Sequence, residues 1–168
     1  EGFISADTGD AFDAGAGGYG YNSIYLGSDP SLIGWRPPAG ASREDAVSWR
    51  EQGRPAGHVT DKSNVVMFTS SAIARGGGIV ETDEAVPYRS LTPEGLGGVM
   101  TPTVHFRFRG KALVAWADGH VTFEAPNPDV SASHNVYGDD NASHALGWFG
   151  PTEWNGYWNP RSRYEEPY

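Results

Sequence analysis

The residues of this chain that could do chemistry are oxygen and imidazole donors. Gly138-Asp139-Asp140-Asn141, with Asp129 before it, is the sharpest set. Calcium takes roughly six to eight oxygens from carboxylates, amides and carbonyls in a flexible loop. Asp129, Asp139, Asp140 and Asn141 are therefore the candidate calcium ligands, and a polar turn is the competing explanation. His105, His120 and Glu124 are residue types that hold zinc, but no His-Glu-x-x-His spacing accompanies them. Exposed or hydrogen-bonded histidines are the commoner reading, as they are for His134 and His144. Asp7, Asp10 and Asp13 do not follow the alternating ligand pattern of an EF-hand.

Nucleophilic and phosphate chemistry find no support. Thr69-Ser70-Ser71 is not a nucleophile elbow. Gly76-Gly77-Gly78 is not followed by Lys-Ser/Thr, so it reads as a turn. Asp139 and Asp140 are adjacent rather than facing across a cleft, which leaves glycosidase chemistry unsupported. Asn141-Ala142-Ser143 has the form of a glycosylation sequon, and a chance match is the safer reading. Trp148, Trp154 and Trp158 are candidate glycan-stacking platforms, set against a role covering a sheet. The residues thus point away from an enzyme.

Composition narrows the partners. The chain has 168 residues, 21 acids and 12 bases, for a formal charge of -9. Nucleic acid and anionic membrane surfaces are poor partners for that balance. No Lys or Arg occurs between Lys111 and Arg161. Cysteine is absent, which excludes disulfides and thiolate metal sites. No apolar run approaches the ~18 residues of a membrane span. The start at Glu1-Gly2-Phe3-Ile4 carries no signal peptide and reads as that of a mature or truncated product.

The elements that must position these groups are mostly short. Gly (23) and Pro (12) make about a fifth of the chain, so turns are frequent. Residues 1–18 and Pro30–Pro38 read as loop. Aromatic alternation over Tyr19–Gly27 predicts a short strand, and Ser42 is placed to cap a short helix reaching Arg50. Val65–Thr69 predicts a buried strand and Ile79–Glu81 a brief one. Pro87–Pro102 reads as loop. After Glu124 the pattern is irregular, and its many rings suggest a tail packed across the domain.

Residues 104–124 predict a three-stranded β-meander. Arg109-Gly110-Lys111 would form a three-residue turn and Asp118-Gly119 a two-residue one. The resulting registers pair Phe106 with Val114, Val104 with Trp116, Trp116 with Val121 and Val114 with Phe123. One face then collects Val104, Phe106, Phe108, Val114, Trp116, Val121 and Phe123. The other collects His105, Arg107, Leu113, His120, Thr122 and Glu124. A slip of one residue would scramble this separation.

At Asp118-Gly119-His120-Val121 the chain resembles the pseudopilin-like proteins of planctomycete and verrucomicrobial bacteria. Their C-terminal signature is His, nine residues, then Asp-Gly. Here Phe108 stands where that family has His, and Gly110 follows it. Tyr19–Asn22, Ser63–Phe68 and Gly147–Pro151 are also similar, so the likeness runs over most of the chain. Phe108, Gly110, Asp118, Gly119 and His120 are the signature residues, with a structural role. The resemblance implies a type II secretion pseudopilin or type IV pilin-like subunit, with a prepilin helix lying upstream of this chain. Calcium in a C-terminal loop, common in major pseudopilins, adds weight to the Asp129–Asn141 set.

The expectation is a single domain over 1–168, of α+β class and β-rich. It would have an antiparallel sheet, long loops and one or two short helices at most. The expected function is a non-enzymatic structural subunit of an extracytoplasmic filament or secretion apparatus. Its partners would be further copies of itself or other pilin-like subunits, with the inner membrane reached only through the upstream helix. The alternative is an extracellular, aromatic-rich carbohydrate-binding domain.

Overall fold

The computed structural model describes residues 18–27, 57, 59–92 and 95–160. The helix expected at 42–50, the acidic start, Pro30–Pro38 and the terminal Tyr164 and Tyr168 lie outside them. The described residues are β-rich, built from small antiparallel sheets and short 3₁₀ turns. The main sheet contains β1 (Tyr19–Tyr21), β2 (Val66–Ser70), β8 (Ala112–Trp116) and β9 (Val121–Glu124), in that spatial order. Three two-stranded ribbons accompany it. They pair β3 (Ile73–Arg75) with β4 (Gly78–Val80), β5 (Arg89–Thr92) with β6 (Gly95–Val99), and β7 (Val104–His105) with β10 (Leu146–Gly147). The β5–β6 ribbon falls inside the expected Pro87–Pro102 loop. Its Gly-Leu-Gly-Gly-Val strand lacks the β-branched and aromatic content that marks strands.

The meander is corrected in both hairpins. Val104–His105 does not pair with β8, because it ladders onto Leu146–Gly147. The flank of β8 belongs instead to β2, with Val66 opposite Trp116 and Thr69 opposite Val114. Ser70 bridges the displaced segment. Its hydroxyl donates to the His105 carbonyl at 2.8 Å and accepts the Leu113 N–H at 3.1 Å. The chain still reverses at Phe108–Lys111, whose N–H and C=O groups bond reciprocally at 3.0 and 3.2 Å. That turn has two central residues, Arg109 and Gly110, at φ 55° and 77°. Positive φ at both positions is the requirement of a type I′ hairpin turn.

The second hairpin is shifted by one residue. Trp116 donates its N–H to the carbonyl of His120 at 3.0 Å, so the loop is Ala117-Asp118-Gly119. Gly119 closes it at φ 96°, where a side chain would be strained although the space is open. The register becomes Ala115 with Val121, Val114 with Thr122, Leu113 with Phe123 and Ala112 with Glu124. A slip of one exchanges the two faces of a strand. Thr122 and Glu124 therefore join the inner face, while Val121 and Phe123, each 56 % exposed, join the outer one.

The core lies on the inner face. Val66, Ala112, Val114 and Trp116 pack there with Ile24, Tyr25, Ala85, Val86, Val104 and Phe106. The aromatic tail closes over them, as expected from its rings. Trp116 meets the edges of Tyr157 and Phe149 at 5.3 and 6.4 Å, and Phe149 meets Trp158 at 5.9 Å. Burial contributes roughly 1.5–3 kcal/mol for each large apolar side chain before entropy is subtracted.

Asparagines tie the irregular tail to this core by serving as spare backbone. Asn22, fully buried, donates to the carbonyls of Val66 and Trp158 at 2.9 and 3.0 Å. Asn155 accepts the Arg89 N–H at 2.8 Å and donates to the Arg89 carbonyl and the Tyr25 hydroxyl at 2.9 Å. It does so from the 3₁₀ segment Glu153–Trp158, where Trp154, Asn155 and Gly156 all have positive φ.

Candidate functional site

The signature residues lie at the two ends of the β8–β9 hairpin. At one end, the Phe108 ring meets Phe123 edge to face at 5.8 Å. Phe108, Arg109, Lys111 and Phe123 line a surface cleft of about 440 Å³. At the other end, Asp118 accepts the His120 backbone N–H at 3.1 Å and contacts its imidazole Nδ1 at 2.6 Å. These two contacts, the backbone one first, hold the Asp118 carboxyl below its usual range. The imidazole lies flat on Trp116 at 5.4 Å and 7°. Asp118 and His120 are thus committed to the turn and to each other.

Between the ends runs an exposed apolar surface. Tyr21, Phe68, Ala115 and Val121 follow one another across the four strands, and Leu113, Phe123 and Phe108 continue it along the hairpin. Tyr21 and Phe68 have ring centroids 5.1 Å apart, and Phe68 remains 38 % exposed. The predicted registers hid this surface by assigning Val121 and Phe123 to the core. The signal that locates it is Gly119. A Gly at the third loop position also suits a three-residue loop closed by a bulge, and that loop gives the observed register.

The candidate metal ligands are held apart or already engaged. Asn141 is fully buried, donates to the carbonyls of Ala132 and His134, and accepts the Asn135 amide at 2.6 Å. Its side chain organises the loop from within, so the acceptor amide of the sequon is buried although Ala142 and Ser143 are exposed. Asp139 accepts the Gly77 N–H at 2.9 Å, and Asp140 accepts the Ala142 N–H at 3.0 Å. Among the described residues no three His, Cys, Asp or Glu side chains gather as a metal would require, so Asp129 does not join Asp139 and Asp140.

His105 and His120 do not share a face. His105 is buried on β7, and burial, then the nearby Arg107 and His144, lower its pKa to about 4. Its Nδ1 has no hydrogen-bond partner among the described residues. Trp148 and Trp158 are buried in the interior at 2 % and 1 % exposure, with no ring face for a sugar, and Trp154 is half-buried.

Comparison with known protein families, curated proteins and solved structures finds no match to this chain.

Proposed function

We propose that the chain is a non-enzymatic structural subunit of a pilus- or pseudopilus-like extracytoplasmic assembly. The observation that carries this reading is the hairpin. Phe108 and Gly110 at one end, and Asp118, Gly119 and His120 at the other, serve turn and ring packing. The strands between them present apolar side chains to the outside. A sheet that turns Phe68, Val121 and Phe123 outward suits contact with protein surfaces, since large exposed apolar patches mark interaction sites. The resemblance at Asp118–Val121 supports the same reading, with Phe108 in the His position acting as a packing residue.

The test is the coding sequence upstream of Glu1. A Gly-Phe-Thr-Leu-Ile-Glu-like start followed by about 20 apolar residues, enough to span a bilayer, is the expected result. A plain secretory signal overturns the pilin reading. Glycan-array binding that disappears in Trp154→Ala would replace it with the carbohydrate-binding alternative.

A further inference from the structure

The main sheet has two edges, and they differ. The β1 edge is closed by the segment 83–85. Tyr21 donates to the Asp83 carbonyl and accepts the Ala85 N–H, both at 2.8 Å. Gly20 permits this approach, since a Cβ there would stand 2.4 Å from the Glu84 backbone. The β9 edge is different: no described residue pairs along its outer side. Proteins usually blunt such edges with lysine, proline or a covering segment. Within Val121-Thr122-Phe123-Glu124 there is neither Lys nor Pro, and Pro126 ends the accessible stretch. The one charge, Glu124, lies at the strand's end on the inner face, where it accepts the Thr122 hydroxyl at 2.6 Å.

We propose that β9 is a homotypic docking edge, pairing antiparallel with β9 of a second copy of this chain about a two-fold axis through Thr122. This rests on the assembly reading and names its contact. The Trp116–His120 bond sets the alternation of the antiparallel ladder. Thr122 and Glu124 then bond to β8, and the N–H and C=O groups of Val121 and Phe123 point outward. A two-fold at Thr122 places Val121 of each copy opposite Phe123 of the other. All four outward donors and acceptors of each strand are then satisfied reciprocally, as an isologous contact requires. The same operation continues the outer apolar surface from one copy into the next.

Charge agrees with this choice of partner. In a chain of formal charge -9, Arg109 and Lys111 line the cleft with Phe108 at the Phe123–Glu124 end of the hairpin, where they outnumber the single acid Glu124 and leave that end net basic. Asp118 lies at the opposite end. Antiparallel pairing sets the basic end of one copy beside the acidic end of the other. A parallel arrangement would oppose like charges. Four residues make a small interface, so the pairing is weak in free solution and gains strength where copies are held side by side.

Sedimentation equilibrium of the chain over a wide concentration range tests this. The expected result is a reversible monomer–dimer equilibrium, weakened several-fold by high salt. Val121→Lys/Phe123→Lys should weaken it by about tenfold or more while leaving the circular dichroism spectrum unchanged, because both side chains are exposed. Thr122→Cys supplies a second readout. A non-hydrogen-bonded antiparallel pair has Cα atoms about 4.5 Å apart, within disulfide reach, so oxidation should link two copies. The chain has no other cysteine to compete. A monomer at every concentration together with no Thr122→Cys cross-link overturns the proposal. A dimer indifferent to the lysine substitutions and to Thr122→Cys also overturns this edge, while leaving assembly through another surface standing. The upstream coding segment tests the assembly reading separately.

Discussion

The rings of Phe108 and Phe123 meet edge to face at 5.8 Å on the outer side of the hairpin, not in the core. Phe108 follows β7 and leads into a turn, whereas Phe123 is on the edge strand, so the pair ties that turn to β9. Such a pair contributes about 0.5–1.5 kcal/mol beyond area burial. A double-mutant cycle of Phe108→Ala and Phe123→Ala, read by urea unfolding, should return a coupling in that range. A coupling near zero would remove Phe108 as the residue that steadies the edge.

Gly119→Ala should destabilise the protein by roughly 1–2 kcal/mol, the cost of a left-handed conformation for a side-chain-bearing residue. The space around it is open, so the loss reports backbone strain alone. Gly119→Asn should lose less, because Asn tolerates that region better. Equal losses for Ala and Asn in denaturant melts would argue against the three-residue loop.

Asn155→Ala should be among the costliest single changes in the tail. It strands the Arg89 N–H and C=O, which the amide now satisfies at 2.8 and 2.9 Å. Each unsatisfied buried group costs about 1–3 kcal/mol. Asn155→Asp keeps the acceptor and loses the donor, so it should fall between. The thermal transition should order wild type above Asp above Ala.

Acidification should weaken the fold through His105. Its pKa is lowered from 6.5 to about 4 by burial, with Arg107 and His144 adding to the effect. The unfolded chain therefore binds the extra proton first. Stability contributed by the neutral imidazole is full above the unfolded value and declines as pH falls from 6.5 toward about 4. The loss is at most about 1.4 kcal/mol for each pH unit crossed. Urea midpoints across this window should fall in wild type and flatten in His105→Gln. A wild-type slope of opposite sign would contradict the burial of this ring.

Saturating calcium, followed by chelator, tests the Asp139–Asp140 turn. With the Asn141 amide engaged and Asp129 apart, the melting transition should stay in place in both conditions. A rise of several degrees with calcium, reversed by chelator, would make the turn a cation site.

Much of the strand content was legible in local pattern. Val65–Thr69, with its β-branched and aromatic run, anticipates β2, although Met67 and Phe68 are exposed rather than buried. The strand expected over Tyr19–Gly27 is β1 only as far as Tyr21, beyond which the chain turns. The chain reverses near both expected turns, but each loop differs by one residue from the expected one: two residues instead of three at Arg109-Gly110, and three instead of two at Ala117-Asp118-Gly119. Turn chemistry is local, because positive φ restricts the residue types that fit. The β5–β6 ribbon was not legible, since its glycines carry no side-chain pattern to read.

The sequence by itself determined a cysteine-free, acidic, β-rich chain with reversals at two named sites. Tertiary structure alone decided which strand flanks β8 and which way β9 faces. Both Val104–His105 and Val66–Ser70 could have laddered onto β8, and the competition was decided by distant partners, Leu146–Gly147 for the first and Tyr19–Tyr21 for the second. The orientation of β9 hangs on whether the Asp118 loop holds two residues or three. Strand faces alternate with a period of two, so that single residue moves Val121 and Phe123 from the core to the open edge where a partner could dock.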